Sequence, residues 1–300
     1  MMLNTKSSPT TTRKLAGTQV GIPPRQMDFV PPTHAARYFF YNNATATLFF
    51  AVLSGIFPAG ERFFVESVRR FRNDIKDETL KAQVSGFIGQ EALHGREHDR
   101  LNTMLAERGF DMRMPIKGID LSLWLLNQLP ARQQLACTIF MEHFTALLAE
   151  QWLSNIEFQQ LADPDMIKLW QWHALEELEH KSVAYDVYDL IGNKPYERVL
   201  AALYVIAAIA PTVLASWAYL VAREHKPQKW RDIKQGITIL LGKKGFITTI
   251  LPQMPVFFQK KFHPKQHNTQ HLESMWRDKL FGEFGTLLSE LKNPDAVRLH

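Results

Sequence analysis

Two four-residue patterns carry the chemistry of this chain, Glu91-Ala92-Leu93-His94 and Glu177-Leu178-Glu179-His180. On a helix, three residues turn through about 300°, so the glutamate and histidine of each pattern leave one face a single turn apart. A carboxylate and an imidazole placed that way can bind one metal ion, or bridge it to a second. One such pair is weak evidence, because Glu and His often share exposed helix faces. Here the pair recurs 86 residues later in another strongly helical segment. Two Glu-x-x-His helices, with one inward glutamate from each of two further helices, form the ligand set of a di-metal carboxylate bundle.

Helical phase, at about 100° per residue, selects the two remaining glutamates. Phe57, Phe64, Val65 and Val68 surround Glu61, so it projects from an apolar face. Glu66 lies about 140° away with Arg62, Arg69, Arg70 and Asn73, which reads as a solvated surface. Glu142 shares its face with Leu135, Thr138, Ile139, Thr145, Ala146 and Ala149. A carboxylate there needs a partner to offset its desolvation. Glu150 lies off that face, and the adjacent His143 reads as a packed or surface histidine. From Glu61 to Glu91 is 30 residues and from Glu142 to Glu177 is 35, each the length an antiparallel helix pair needs to return to one level.

Further donors flank the six. His98 follows His94 by four residues, and His173 precedes Glu177 by four and His180 by seven. Each is placed either as a seventh ligand or as a donor to a ligand carboxylate, and with Glu142 they are the candidate catalytic groups. Glu176 fits either role. Asp186 and Tyr185 are candidates to orient a ligand histidine, although core or surface placement suits them as well.

The elements that must position these groups are all helical. No stretch alternates as a strand would. Residues 1–35, broken by Pro9, Pro23, Pro24, Pro31 and Pro32, read as a disordered or extended leader. Residues 36–195 read as the four-helix bundle. Its helices are expected to end near Pro58, to reopen from Pro58 to Asn73, and to run from Asp77 to Gly109, Leu121 to Leu129, Pro130 to Phe158, and Asp163 to Gly192. Residues 196–300 read as additional apolar C-terminal helices. At 300 residues and 46% apolar, the chain can build a sizeable core. A net charge of +5 is too mild to argue for nucleic acid. The single cysteine, Cys137, allows no internal disulfide and suits a reducing compartment. Met1 to Arg13 carries no apolar run, so no signal peptide is read there.

The segments Gly60-Glu61-Arg62-Phe63-Phe64, Glu91 to His98, Glu142-His143 and Glu176 to Lys181 resemble a bacterial family of predicted metal-dependent hydrolases, over about residues 35–285. More distantly, the ligand set resembles the ferritin-like di-iron carboxylate proteins, such as the ribonucleotide reductase small subunit. The resemblance implies a ferritin-like four-helix bundle with a di-metal core held by Glu61, Glu91, His94, Glu142, Glu177 and His180. Where the reductase subunit places its radical tyrosine, this chain has His98, so no tyrosyl radical is expected there.

Two chemistries fit such a centre. The first reading is two Fe ions (alternatively Mn, or Fe with Mn) that activate O2 to oxidise a small apolar organic substrate, with an external electron donor. Ligation by N and O alone favours those metals over structural zinc. The alternative, which the resembled family's label implies, is hydrolysis by a water bound to the two metals. Iron storage is disfavoured by the apolar C-terminal region. Val199 to Ala222 runs 24 residues without a charge, long enough to cross a bilayer, and Arg223, Lys226, Lys229, Arg231 and Lys234 follow. A lone crossing would put the metal domain outside by the charge rule. Pairing with the apolar stretch Gly245 to Phe258 as a hairpin offends the same rule. The expectation is therefore a cytoplasmic protein, peripheral on the inner membrane surface or with this segment buried.

Overall fold

The computed structural model describes residues 17–30, 32, 34–225 and 228–294. Expectations for residues 1–16, and for Lys226 of the basic run, lie outside these. Ten α-helices lie wholly within the described residues: α1 Ala44–Arg69, α2 Glu78–Glu107, α3 Arg113–Asn127, α4 Ala131–Ser154, α5 Ile156–Gln160, α6 Ile167–His180, α7 Val183–Leu190, α8 Pro195–Arg223, α9 Lys229–Leu241 and α10 Gln270–Phe281. Short 3-10 turns join some of them. The all-α reading holds; among the described residues the only β pairing is two isolated bridges, Met27 with Leu291 and Phe40 with Ala162.

Four helices make the core. α1 lies along α2, α4 lies along α6, and α2 against α6 and α1 against α4 close the ring. Local chemistry sets their ends. The Asn43 side chain accepts from Ala46 N at 2.8 Å and Asp77 from Leu80 N at 2.7 Å, satisfying first-turn donors that a helix leaves without partners. Gly109 and Gly192 follow α2 and α7 with φ of +85° and +88°, a conformation only glycine adopts without strain.

Several boundaries differ from the sequence reading, among them the start of α3, which opens at Arg113, eight residues before the expected Leu121. Pro58 does not divide α1, which runs through it as one helix. Proline removes the N–H that would bond the carbonyl four residues back, and here that carbonyl, Ser54 O, accepts from Asn102 Nδ2 at 2.9 Å instead. The Pro130 helix stops at Ser154, where Asn155 caps the short α5 through Phe158 N. The last bundle helix breaks at Lys181–Ser182, directly after His180.

Along the bundle the core falls into two apolar clusters. One holds Phe50, Leu105, Trp152 and Trp170, and the other Phe64, Phe87, Ile139 and Tyr188. Between them lies a polar layer. The C-terminal segment closes over this bundle: Trp276 and Leu280 of α10 are fully buried, and Trp276 Nε1 donates to Leu153 O at 3.0 Å. Gly245 to Phe258 forms turns and a 3-10 segment, Leu251–Phe258, too short to cross a bilayer, so the hairpin arrangement has no second helix.

Candidate metal centre

The polar layer contains Glu61 from α1, Glu91, His94 and His98 from α2, Glu142 from α4, and His173, Glu176, Glu177 and His180 from α6, all buried. α1, α2 and α4 deliver their groups from within the helix, whereas α6 delivers His173, Glu176 and Glu177 from within and His180 from its last residue. Glu61 is 3% exposed, whereas Glu66 lies on the solvent side, 2.6 Å from Arg69.

The side chains gather in two triads whose donor atoms lie within 4.8 Å of one another: Glu61, His94 and His173, and Glu91, Glu177 and His180. His180 Nε2 stands 3.0 Å from Glu91 Oε1 and 3.6 Å from both Glu142 Oε2 and Glu177 Oε1. His173 Nε2 stands 3.0 Å from Glu177 Oε1 and 3.7 Å from Glu61 Oε1. Glu177 therefore joins the two triads.

Buried polar atoms normally find hydrogen-bond partners. Both oxygens of Glu61, Glu91 and Glu142, together with Glu177 Oε2, His94 Nδ1 and His180 Nε2, make no well-aligned hydrogen bond among the described residues. Other such atoms in the described chain are scattered, such as the indole nitrogens of Trp152 and Trp170. Four buried carboxylates side by side cost too much to ionise unaided. Burial, reinforced by the neighbouring Glu91, holds Glu61 and Glu142 well above the ordinary carboxylate range, and burial raises Glu91 as well. For Glu177 burial acts in the same sense but is outweighed by His173 and His180, which hold it well below that range. Two divalent cations would offset the negative charge of four ionised glutamates. The residues present fit such a pair.

Outer contacts fix how each histidine presents itself. His94 Nε2 faces Glu176 Oε2 at 3.0 Å, and Arg25 donates to the other oxygen of Glu176 at 3.0 Å, leaving His94 Nδ1 turned inward. Burial lifts Glu176 to about 8, with Arg25 pulling the other way; a cation beside it favours the ionised acceptor. His180 Nδ1 is held by Gln90 Oε1 at 2.9 Å, and Gln90 donates in turn to Pro23 O and Glu179.

The His173 tautomer follows from a chain of bonds. Asn102 Nδ2 donates to Ser54 O, so Asn102 Oδ1 is the acceptor for Ser54 Oγ at 2.7 Å. The Ser54 hydroxyl hydrogen is thereby used, and the 3.0 Å contact from His98 Nδ1 has His98 as donor. Burial, then the nearby His173, keeps His98 well below the ordinary histidine range and so neutral, and its Nε2 accepts from His173 Nδ1 at 2.8 Å. With its Nδ1 proton committed to His98, His173 turns Nε2 toward Glu61 and Glu177. Lone pair faces lone pair there unless a proton or a metal ion lies between.

The sequence-selected residues thus meet in one layer, with differences in the surrounding groups. His98 has both nitrogens engaged away from the carboxylates, so it positions His173. His143 packs against Phe257 and Phe262, and Glu150 pairs with His267 at the surface. Asp186 accepts from His263 and Lys265, and Tyr185 donates to Phe262 O, so neither orients His94 or His180. Arg25, Gln90, Ser54 and Asn102 were not selected from the sequence. Nothing in their spacing marks them; only the asparagine four residues beyond His98, on its face, was there to be noticed.

No curated protein and no solved structure matches this chain. One family does, described as predicted metal-dependent hydrolase, over residues 23–268, a span that takes in Arg25, the polar layer and α8. The chain belongs to that family of predicted metal-dependent hydrolases.

Proposed function

We propose that the protein is a hydrolase working with two divalent metal ions, held by Glu61, Glu91, His94, Glu142, Glu177 and His180, with His173 as a seventh donor. The observation that carries this reading is the set of buried carboxylate and imidazole atoms left without hydrogen-bond partners in one layer. When bound, such a pair lowers the pKa of a coordinated water and polarises a carbonyl or phosphoryl oxygen. The family description supports hydrolysis over the oxidative chemistry that the ligand set first suggested.

The chain's own residues would do the rest. Arg25 and Glu176 hold His94, Gln90 holds His180, and the Asn102–Ser54–His98 chain holds His173, so the donors are placed before any substrate arrives. Glu142, if it gives one oxygen to a metal, keeps the other to take or return a proton. Beside His173 and Glu177 lies a small apolar cavity of about 40 Å³ lined by Leu53, Phe57, Leu148, Trp152 and Trp170. It keeps bulk water from that side and would take a small apolar group. A groove of about 640 Å³ between α1 and α2 reaches Glu91 past Gly95 and is the route for the polar end. A bulkier residue at 95 would press on Glu61, whose Oε2 lies 3.1 Å from the position of a Cβ.

One feature favours a second reading. Four glutamates and histidines without a thiol suit Fe or Mn, and an O2-dependent oxidation with an external electron donor would use the same donors. In either case a cytoplasmic setting is the one we favour. Chromogenic carboxylic and phosphoric esters, offered to Mn(II)- or Fe(II)-loaded protein without oxygen, decide between the two. Turnover that is lost in Glu142→Ala and indifferent to O2 is expected. Iron-dependent O2 uptake without any ester turnover would reject hydrolysis.

A further inference from the structure

The 18-residue window that makes α8 a membrane-length apolar helix is only 22% buried, whereas the comparable window in Ala44–Asp74 is 83% buried. From Val199 to Ala222 the helix has no charge. Leu200, Leu203 and Leu214 are exposed along it, Leu203 by 57%. At 1.5 Å per residue the uncharged stretch is about 35 Å long.

α3 extends this face. It runs antiparallel to α8: Tyr219 OH donates to Asp111 Oδ2 at 2.8 Å at one end, and Ser122 Oγ donates to Ala208 O at 2.7 Å further along. At the crossing, a Cβ on Gly118 would come 2.8 Å from Thr212 Cγ2, so the helices touch closely. Leu121, Trp124 and Leu125 of α3 are thereby set beside α8, and all three are exposed, Trp124 by 58%. An apolar surface of this extent is a contact surface, not scattered exposure.

The opposite side of α8 packs on α4 and α1, which carry Glu142 and Glu61, and buries Ala201, Ala202 and Val205. α8 therefore cannot cross a bilayer without drawing the bundle in with it. The end of the face is cationic. Arg223, Arg231 and Lys234 are exposed, and Trp230, between Lys229 and Arg231, is 83% exposed. The neighbouring Glu224 is engaged by Arg37 and Tyr38, and the buried Asp232 accepts from the first residues of α1, so neither carboxylate is turned to the exposed face; Asp120 on α3 is an exposed acid. Trp beside Lys and Arg is the composition that settles at the headgroup level of anionic lipid.

We propose that the α3–α8 face docks the protein on an anionic lipid bilayer, lying in the headgroup region without crossing it. The proposal does not depend on the chemistry at the metal centre.

Flotation of the full chain with vesicles of phosphatidylcholine, alone or mixed with phosphatidylglycerol, tests it. Binding is expected to the mixed vesicles, to weaken with salt and to be removed by carbonate. Leu203→Glu with Leu121→Glu should lower the bound fraction about tenfold or more, since a charge replaces inserted apolar area. Circular dichroism and metal content should not change in that variant. Should it fold poorly, quenching of tryptophan fluorescence by brominated acyl chains, with the Trp124 share read as the part lost in Trp124→Phe, reports the same contact in an otherwise intact chain. No vesicle binding, or binding indifferent to Leu203→Glu, overturns the proposal. So does a dimer that Leu203→Glu converts to monomer, which would assign the face to a second copy, and so does carbonate-resistant insertion.

Discussion

Asn102 Nδ2 donates at 2.9 Å to the carbonyl of Ser54, the group that Pro58 leaves without its helical donor. The same amide's oxygen takes the Ser54 hydroxyl, and that hydroxyl oxygen takes His98. A break in the α1 ladder thus starts the chain of bonds that turns His173 Nε2 toward Glu61 and Glu177.

Replacing Asn102 by Leu should strand a buried carbonyl and hydroxyl, at a cost of about 1–3 kcal/mol in chemical denaturation. Pro58→Ala returns an N–H to the Ser54 carbonyl, so in that background Asn102→Leu should cost less. A double-mutant cycle reads the coupling. Strict additivity of the two changes would show that Asn102 does not serve the carbonyl freed by Pro58.

The ligand layer was legible because its residues repeat with a helical period and their neighbours are apolar on one side. Glu61 and Glu66 differ in sequence only by phase, yet one is buried and the other pairs with Arg69. What surrounds the layer was not legible. Arg25 reaches Glu176 across 151 residues and Gln90 reaches His180 across 90, and contacts that distant leave no local period. Pro58 misled for a related reason: a proline reads as a helix boundary unless a side chain elsewhere satisfies the carbonyl it frees.

Glu61→Ala should abolish metal-dependent activity, because it removes a donor from the first triad. Glu66→Ala, on the solvent side, should change stability by less than about 0.5 kcal/mol and leave activity intact. The opposite ranking in a side-by-side assay would mean that α1 presents its other face to the centre.

Purified protein should hold about two divalent metal ions per chain, Fe or Mn on the proposed reading, a number that four carboxylates and two or three imidazoles can ligate. Glu142→Ala or His180→Ala should lose at least one, and elemental analysis of freshly purified variants checks it. Full occupancy in both would remove these two residues from the ligand set.

Burial of Cys137 pushes its thiol up to about 12, so the reactive thiolate is scarce at neutral pH and the sulfur is inaccessible as well. Alkylation by iodoacetamide should be negligible in the native protein and rapid once urea opens it. Quantitative labelling under native conditions, read by mass spectrometry, would contradict this burial.

Arg25 is the test of how the N-terminal arm contributes to the centre. Its guanidinium is 2% exposed and donates to Glu176 at 3.0 Å and to Glu179 at 2.7 and 2.8 Å. Glu179 has a second cation, Arg277, at 2.9 Å, but Glu176 has no other arginine or lysine partner among the described residues. Arg25→Ala takes from Glu176 its arginine partner, leaving His94 and the Trp172 indole beside it, and from the buried Glu179 one of two cations; breaking a buried pair in this way costs about 3–5 kcal/mol. Arg25→Lys should recover only part of that, because a single ammonium cannot reproduce the fork that spans two carboxylates. With the acceptor for His94 Nε2 weakened, metal affinity should fall in both variants, more steeply in Arg25→Ala. Denaturation of metal-free protein separates the stability effect from the affinity effect, which metal titration reads on its own. Unchanged stability and unchanged metal affinity in Arg25→Ala would show that the arm merely covers the bundle, and that His94 keeps its orientation by other means.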